Sequence, residues 1–150
     1  MKKAAVALAL LFLTDCSGLD RTTGPDLSTP VGYRQGATVR VEHIAAAVRI
    51  ANSGCTIGAL DQCQQMLKEQ ESAVLQTPEL MPLGGTPLIC DGLAHDYYIL
   101  LDGALDYFSQ MKTSAARNDA AFGQTTRERL VSFDQSYTAF NRTLASNSCR

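Results

Sequence analysis

The chain has 150 residues, which is enough for one domain with a substantial hydrophobic core. Hydrophobic residues make up 45% of it, so the composition excludes a wholly disordered chain. The formal net charge is -2 and the Lys and Arg residues are scattered, which gives no reason to expect nucleic-acid binding.

The first residues have the pattern of an export signal. Lys2 and Lys3 precede an apolar run from Ala4 to Leu13. A membrane-spanning helix needs about 20 apolar residues, so this run is too short to cross a bilayer and has the length of a signal-peptide core. We therefore expect residues 1–15 to be a signal peptide.

The apolar run ends in the segment Leu13-Thr14-Asp15-Cys16, of which Leu13 is the last apolar residue. This segment resembles the lipobox of bacterial lipoproteins, in which a cysteine after a short leucine-rich core is lipidated and becomes the mature N-terminus. Leu13 and Thr14 fit the pattern, whereas Asp15 departs from it because a small residue is usual there. The resemblance covers residues 1–16 and implies a lipid on Cys16 and a place in the bacterial envelope, at the outer membrane facing the periplasm. Plain secretory cleavage and an ordinary thiol at Cys16 are the alternatives.

Residues 17–36 are rich in glycine, proline, serine and threonine and have no sustained hydrophobic period, which predicts a flexible tether. We therefore assign residues 16–36 to the anchor and tether, and residues 37–150 to a helical domain. Thr29-Pro30 could start a helix early, but the two glycines that follow argue against it. Packing of Val31 and Tyr33 against the domain stays open.

Four segments carry apolar residues at every third or fourth position, which is the period of an α-helix. The segments are residues 37–53, 56–77, 86–117 and 120–146, joined by short connections, and no strand is predicted. The third helix is central, and its apolar stripe consists of Ile89, Leu93, Tyr97, Leu100, Ala104, Phe108 and Met111. The fourth helix matches it in length and aromatic content. The sequence therefore predicts an all-α fold, an antiparallel up-down-up-down four-helix bundle.

Four cysteines remain when Cys16 is set aside, and an even number in an exported chain predicts disulfides. Cys55 and Cys63 flank the turn into the second helix, whereas Cys90 opens the third helix and Cys149 closes the fourth. The termini of an antiparallel helix pair lie side by side, while the two ends of a 20-residue helix are about 30 Å apart. A disulfide needs Cα atoms within about 7 Å. Of the three possible pairings we therefore predict Cys55–Cys63 and Cys90–Cys149.

His95 is the strongest candidate for a chemical role, since it shares one helix face with Asp91, Asp102 and Asp106. We interpret this face as solvated rather than as a metal or general-base site. A zinc site needs at least three ligands, and only His43 and His95 are available once the cysteines pair. No phosphate-binding loop, nucleophile motif or haem-attachment motif occurs. We therefore predict no metal, no cofactor and no enzymatic activity.

Two regions are predicted to form a surface for a protein partner. One is the loop at residues 78–85, with Leu80, Met81 and Leu83, although these three side chains could instead fold over one end of the core. The other is the polar face of the third helix, with Asp91, His95, Tyr98, Asp102 and Asp106.

The functional hypothesis from the sequence is a lipid-anchored envelope module that binds another protein. It would act as an accessory subunit of an envelope or secretion machine, or as an immunity protein or inhibitor. The alternative is a carrier of a small ligand or lipid in a pocket between the helices. A hydrolase of the envelope ranks third.

Overall fold

The computed structural model describes residues 24–55, 60–80, 90–117, 122–146 and 149. It contains four α-helices: α1 (Pro30–Gly54), α2 (Leu60–Leu75), α3 (Asp91–Ala116) and α4 (Phe122–Ala145). No strand occurs among the described residues. The all-α prediction with four helices is therefore confirmed. None of the four helices is long and apolar enough to cross a membrane.

Helix α1 begins at Pro30, so the predicted start at Ala37 is wrong. Thr29 is the N-cap residue, and its hydroxyl accepts a hydrogen bond from the backbone N–H of Gly32 at 3.1 Å. Pro30 occupies the first helical turn, where its missing N–H leaves no hydrogen bond unmade. Tyr33 is fully buried. The helical domain therefore includes residues that the sequence assigned to the tether.

The two glycines that argued against an early helix are explained by close packing. A Cβ atom at Gly32 would collide with the backbone carbonyl of Asp26, and one at Gly36 would collide with the side chain of Leu27. Residues 25–27 therefore lie directly against the first turns of α1. Glycine occurs at these two positions despite its low helix propensity, because a larger residue would not fit there.

The turn before α1 is held by local hydrogen bonds to Asp26. Its Oδ1 accepts from the Ser28 hydroxyl at 2.6 Å and from the Ser28 backbone N–H at 3.0 Å. Both bonds lower the pKa of Asp26 below its usual value, and the bond from the Ser28 hydroxyl has the larger effect. The Thr29 hydroxyl donates to the Asp26 carbonyl at 2.9 Å. The chain therefore enters α1 through an ordered turn.

The core is built from the predicted stripes. All six described members of the α3 stripe are buried, namely Leu93, Tyr97, Leu100, Ala104, Phe108 and Met111. The predicted first residues of this helix, 86–89 including Ile89, lie outside the described residues, and α3 begins at Asp91 with Cys90 as its N-cap. From α4, Phe133 and Phe140 enter the same core. Each large apolar side chain buried this way contributes about 1.5–3 kcal/mol of transfer free energy.

Both predicted disulfides are present. The Cα atoms of Cys55 and Cys63 are 4.5 Å apart, and those of Cys90 and Cys149 are 4.4 Å apart. Cys149 Sγ also lies 3.3 Å from the Pro30 carbonyl oxygen. The C-terminal cysteine is therefore fixed beside the beginning of α3 and the beginning of α1.

Candidate functional site

One exposed polar surface lies on α3. We define the acidic α3 face as Asp91, His95, Ile99, Asp102 and Asp106, which recur in steps of three or four residues and therefore share one side of the helix. All five side chains are exposed. Ile99 is 45% exposed and lies in the middle of the face. The face thus presents three carboxylates and an imidazole around one apolar side chain.

Tyr98 lies beside this face and is half-buried. Its ring meets the buried Tyr97 ring edge-on, with centroids 5.1 Å apart and an interplanar angle of 75°. Tyr97 is packed in the core, and this burial raises its pKa. Tyr98 itself packs partly against the core cluster, so only part of its side chain can belong to a partner surface.

Asp106 differs from the other acids because it has a cationic partner. Its Oδ2 lies 3.0 Å from Arg129 Nη1 of α4, and the two side chains are 46% and 42% exposed. An exposed ion pair of this kind contributes about 0–1 kcal/mol. The acidic α3 face is therefore partly neutralised at its C-terminal end, and its negative potential is concentrated toward Asp91 and Asp102.

The loop that the sequence proposed as a partner surface is not confirmed. Leu80 is fully buried, so it is not part of an exposed surface. It belongs to the core cluster, which agrees with the alternative that this side chain folds over the core, because an apolar side chain gains more from burial than from exposure. Met81 and Leu83 lie outside the described residues.

No group of three or more His, Cys, Asp or Glu side chains is placed to hold a metal ion within residues 24–55, 60–80, 90–117, 122–146 and 149. His43 lies on α1 and His95 on the acidic α3 face. His43 Nε2 lies 3.4 Å from the carbonyl oxygen of Ala73, which is a structural contact between two helices.

A cleft of about 410 Å³ lies between α1 and the end of α2. Arg40 forms one side of it, donating from Nε to the Pro78 carbonyl at 2.9 Å and from Nη1 to the Gly36 carbonyl at 3.0 Å. The Pro78 carbonyl lies just beyond the end of α2, and His43 contacts the Ala73 carbonyl in the last turn of α2. Arg40 and His43 thus link α1 to the C-terminal end of α2, where the positive charge of Arg40 also suits the helix dipole. The residues that line the cleft are Val39, Arg40, His43, Ala73, Gln76, Thr77 and Pro78.

A second exposed surface, on α1, was missed by the sequence analysis. Val39 and Ile50 are large apolar residues that are 66% and 47% exposed. His43 and Ala46 lie between them and are also exposed. We call these four residues the outer α1 stripe. Their spacing of four, three and four residues was the available signal.

Polar contacts to α4 border the outer α1 stripe. The Tyr137 hydroxyl donates to Glu42 Oε1 at 2.7 Å, and the Arg49 guanidinium lies 4.9 Å from the centroid of the same ring. An arginine at this distance from a tyrosine ring makes a favourable cation–π contact. Glu42 and Arg49 are therefore both contacted by one residue of α4.

Comparisons with sequence models of known families, with curated proteins and with solved structures found no match to this chain.

Proposed function

We propose that this protein is a lipid-anchored, non-enzymatic module of the bacterial envelope that binds another protein. The observation that carries the proposal is the acidic α3 face, which is exposed over most of the length of a rigid helix. Carboxylates around one exposed isoleucine suit a partner that has a basic rim around a small apolar pocket. Such a surface fits an accessory subunit of an envelope or secretion machine, or an immunity or inhibitor protein.

The location follows from the N-terminus and the cysteines. The lipobox-like segment ending at Cys16 supports attachment through a lipid, and the residues between Cys16 and the ordered turn at residues 25–29 supply a tether between that lipid and the domain. Two disulfides support an oxidising compartment. We place the domain at the outer membrane, facing the periplasm, with another envelope protein as its partner.

We also propose that the helices run up-down-up-down, which fixes where the acidic α3 face sits relative to the anchor. Helix α4 contacts both α1 and α3 in antiparallel order: as residue numbers rise along α1 or α3, the numbers of their α4 partners fall. The pairs between α1 and α4 are Arg34–Leu144 and Glu42–Tyr137, and those between α3 and α4 are Asp96–Thr143 and Asp106–Arg129. Helix α1 and the α2 region show the same order in Arg40–Pro78, His43–Ala73 and Cys55–Cys63. This order is the one expected for short connections between antiparallel neighbours.

The test of the binding proposal is crosslinking in cells followed by purification from solubilised membranes. Asp102→Lys on the acidic α3 face should abolish recovery of the crosslinked partner or reduce it severalfold, because it places a cation against a basic rim. Asp134→Lys is the matched control, since it makes the same change of charge on the exposed side of α4. Equal recovery with both variants would contradict the proposed surface.

A small-ligand or lipid carrier is the second candidate, and the cleft between α1 and α2 supports it. Its volume lies at the lower end of the range for small-molecule sites. It ranks second because Arg40 and His43 already contact backbone carbonyls there. Native mass spectrometry of the purified protein distinguishes the two candidates: a retained small molecule that Ala73→Trp displaces would favour the carrier.

A further inference from the structure

We propose that the outer α1 stripe is a self-association surface, on which α1 of one chain packs antiparallel against α1 of a second copy across a two-fold axis. This proposal is independent of the partner surface on α3, because it concerns a different helix and a different occupant.

The spacing of the stripe matches helix-to-helix packing. Val39, His43, Ala46 and Ile50 follow one another at intervals of four, three and four residues, which is the seam of a coiled coil. The opposite side of the same helix buries Val41, Ile44, Val48 and Ala51 in the core. Helix α1 therefore carries two apolar stripes, of which the domain covers one.

The stripe is symmetric about its own centre. Val39 and Ile50 are equally distant from the point between Ile44 and Ala45, and so are His43 and Ala46. In an antiparallel pair centred on this point, Val39 of one copy lies against Ile50 of the other. The central contacts then join His43 of one copy and Ala46 of the other. A face that matches itself after a half-turn is what a two-fold interface requires.

The charges beside the stripe select the second copy as the occupant. Glu42 and Arg49 are seven residues apart, so they lie on the same side of the stripe. In the antiparallel pair Glu42 faces Arg49 of the second copy, and the reverse contact occurs once more by symmetry. In a parallel pair Glu42 would instead face Ala47 of the second copy and Arg49 would face Gly54, so neither charge would have a partner. The pattern is therefore complementary to itself only in the antiparallel orientation.

Both charged side chains are already positioned for this contact. Tyr137 holds Glu42 through its hydroxyl and Arg49 through its ring. Ordering of flexible side chains is one of the costs of association, and these two side chains are partly ordered within the single chain. The short length of the stripe nevertheless implies a weak dimer, which attachment of both copies to one membrane would favour through a raised effective concentration.

The experiment is sedimentation equilibrium of the full chain in detergent over a range of concentrations. The parent chain should dimerise reversibly. Glu42→Arg and Arg49→Glu should each weaken dimerisation by about tenfold, because each replaces two attractive pairs by two repulsive ones. The double variant Glu42→Arg/Arg49→Glu should restore the dimer. An equimolar mixture of the two single variants should form a heterodimer, since one then carries only arginine and the other only glutamate.

Matched variants separate the interface from the fold. Ile50→Lys should abolish the dimer, whereas Val131→Lys, at an apolar position 55% exposed on α4, should leave it intact. Tyr137→Phe removes the hydrogen bond to Glu42 but keeps both charges, so dimerisation should persist. Melting curves identify any variant that fails to fold.

Three results would overturn the proposal. The first is a monomeric parent at every concentration, as expected if residues 1–23 or another protein occupied the stripe. The second is a dimer that the charge reversals and Ile50→Lys do not change. The third is a charge-swapped double variant that stays as weak as the single variants.

Discussion

Tyr107 carries a buried hydroxyl with no hydrogen-bond partner among the described residues. Its whole side chain is fully buried. A buried hydroxyl that makes no hydrogen bond costs about 1–3 kcal/mol relative to its hydrated state. The ring compensates through its apolar area and an edge-on contact with Phe108 at 5.3 Å.

Removing this hydroxyl should therefore not destabilise the protein. We expect Tyr107→Phe to leave the free energy of unfolding unchanged or to raise it by about 1 kcal/mol, measured by denaturant titration. Tyr137→Phe is the control at a satisfied hydroxyl, and it should cost about 0.5–1.5 kcal/mol because the bond to Glu42 is lost. A larger loss at Tyr107 than at Tyr137 would mean that the Tyr107 hydroxyl is paired in solution.

The same side chain predicts a weakness at alkaline pH. Burial raises the pKa of Tyr107 above the ordinary value of 10.0. Above about pH 10 the unfolded state loses the Tyr107 proton while the folded state keeps it. The free energy of unfolding is therefore unaffected by this group below pH 10 and decreases as the pH rises above it. We expect the midpoint of urea unfolding to fall above that pH, and to fall less in Tyr107→Phe. Identical pH profiles would assign the loss to other groups.

At the scale of the elements, the glycines of α1 are a packing device. Gly32 and Gly36 allow residues 25–27 to lie against the helix. A Cβ atom added at Gly103 in α3 would instead have only the Ser136 hydroxyl oxygen near it, at an ordinary contact distance of 3.8 Å. Replacement of glycine by alanine should therefore destabilise the protein at Gly32 and stabilise it at Gly103.

We expect Gly32→Ala to lower the free energy of unfolding by roughly 1–3 kcal/mol, because the new methyl group would collide with a backbone carbonyl that cannot move alone. Gly103→Ala should raise it by about 0.5–1 kcal/mol through helix propensity. Denaturant unfolding of both variants measures the difference. Stabilisation by both substitutions would show that residues 25–27 do not pack on α1 in solution.

This packing also explains which part of the fold could be predicted. Periodicity located all four helices, because the buried stripes of α1, α3 and α4 follow the helical period closely. It failed at the start of α1, where Gly32 and Gly36 have low helix propensity but are required by a contact with residues that a local pattern does not include. The Thr29 cap was visible and was given too little weight.

The candidate surfaces were predictable to different degrees. The acidic α3 face follows from spacing alone, since residues opposite a buried stripe are exposed. The placement of Leu80 stayed open because a loop position does not reveal whether an apolar side chain turns inward. The outer α1 stripe was missed because its residues alternate along the sequence with those of the buried stripe of the same helix. Two of its four residues are a histidine and an alanine, which do not by themselves indicate an apolar face.

At the scale of the whole molecule, the two disulfides close loops of very different length. Cys90 and Cys149 are separated by 59 residues, and Cys55 and Cys63 by 8. Loop-closure entropy assigns the longer loop about 1–2 kcal/mol more stabilisation. With the freed thiols blocked, we expect Cys149→Ser to lower the melting temperature more than Cys55→Ser. An equal or reversed ranking would mean that local packing, rather than loop closure, determines the contribution of each bond.

Attachment to the membrane depends on a single residue in the proposal. Cys16→Ser should release the protein from the membrane fraction or leave it with an uncleaved N-terminal segment, because no sulfur remains to carry the lipid. Fractionation and the mass of the mature protein measure the outcome. If the variant fractionates like the parent and has the same mature N-terminus, the protein is not anchored through Cys16.

The order of the disulfides along the chain has a consequence for biogenesis. Each bond joins cysteines that are neighbours in sequence order once Cys16 is set aside. In a chain exported N-terminus first, Cys55 and Cys63 emerge together, before Cys90. An oxidase that joins thiols as they appear would therefore form the native bond, and Cys90 would wait for Cys149, the penultimate residue. A lipid on Cys16 would remove the only thiol able to compete. In the exported, lipid-anchored chain that we propose, no incorrect bond then has to be broken, so its maturation would need a thiol oxidase but no disulfide isomerase.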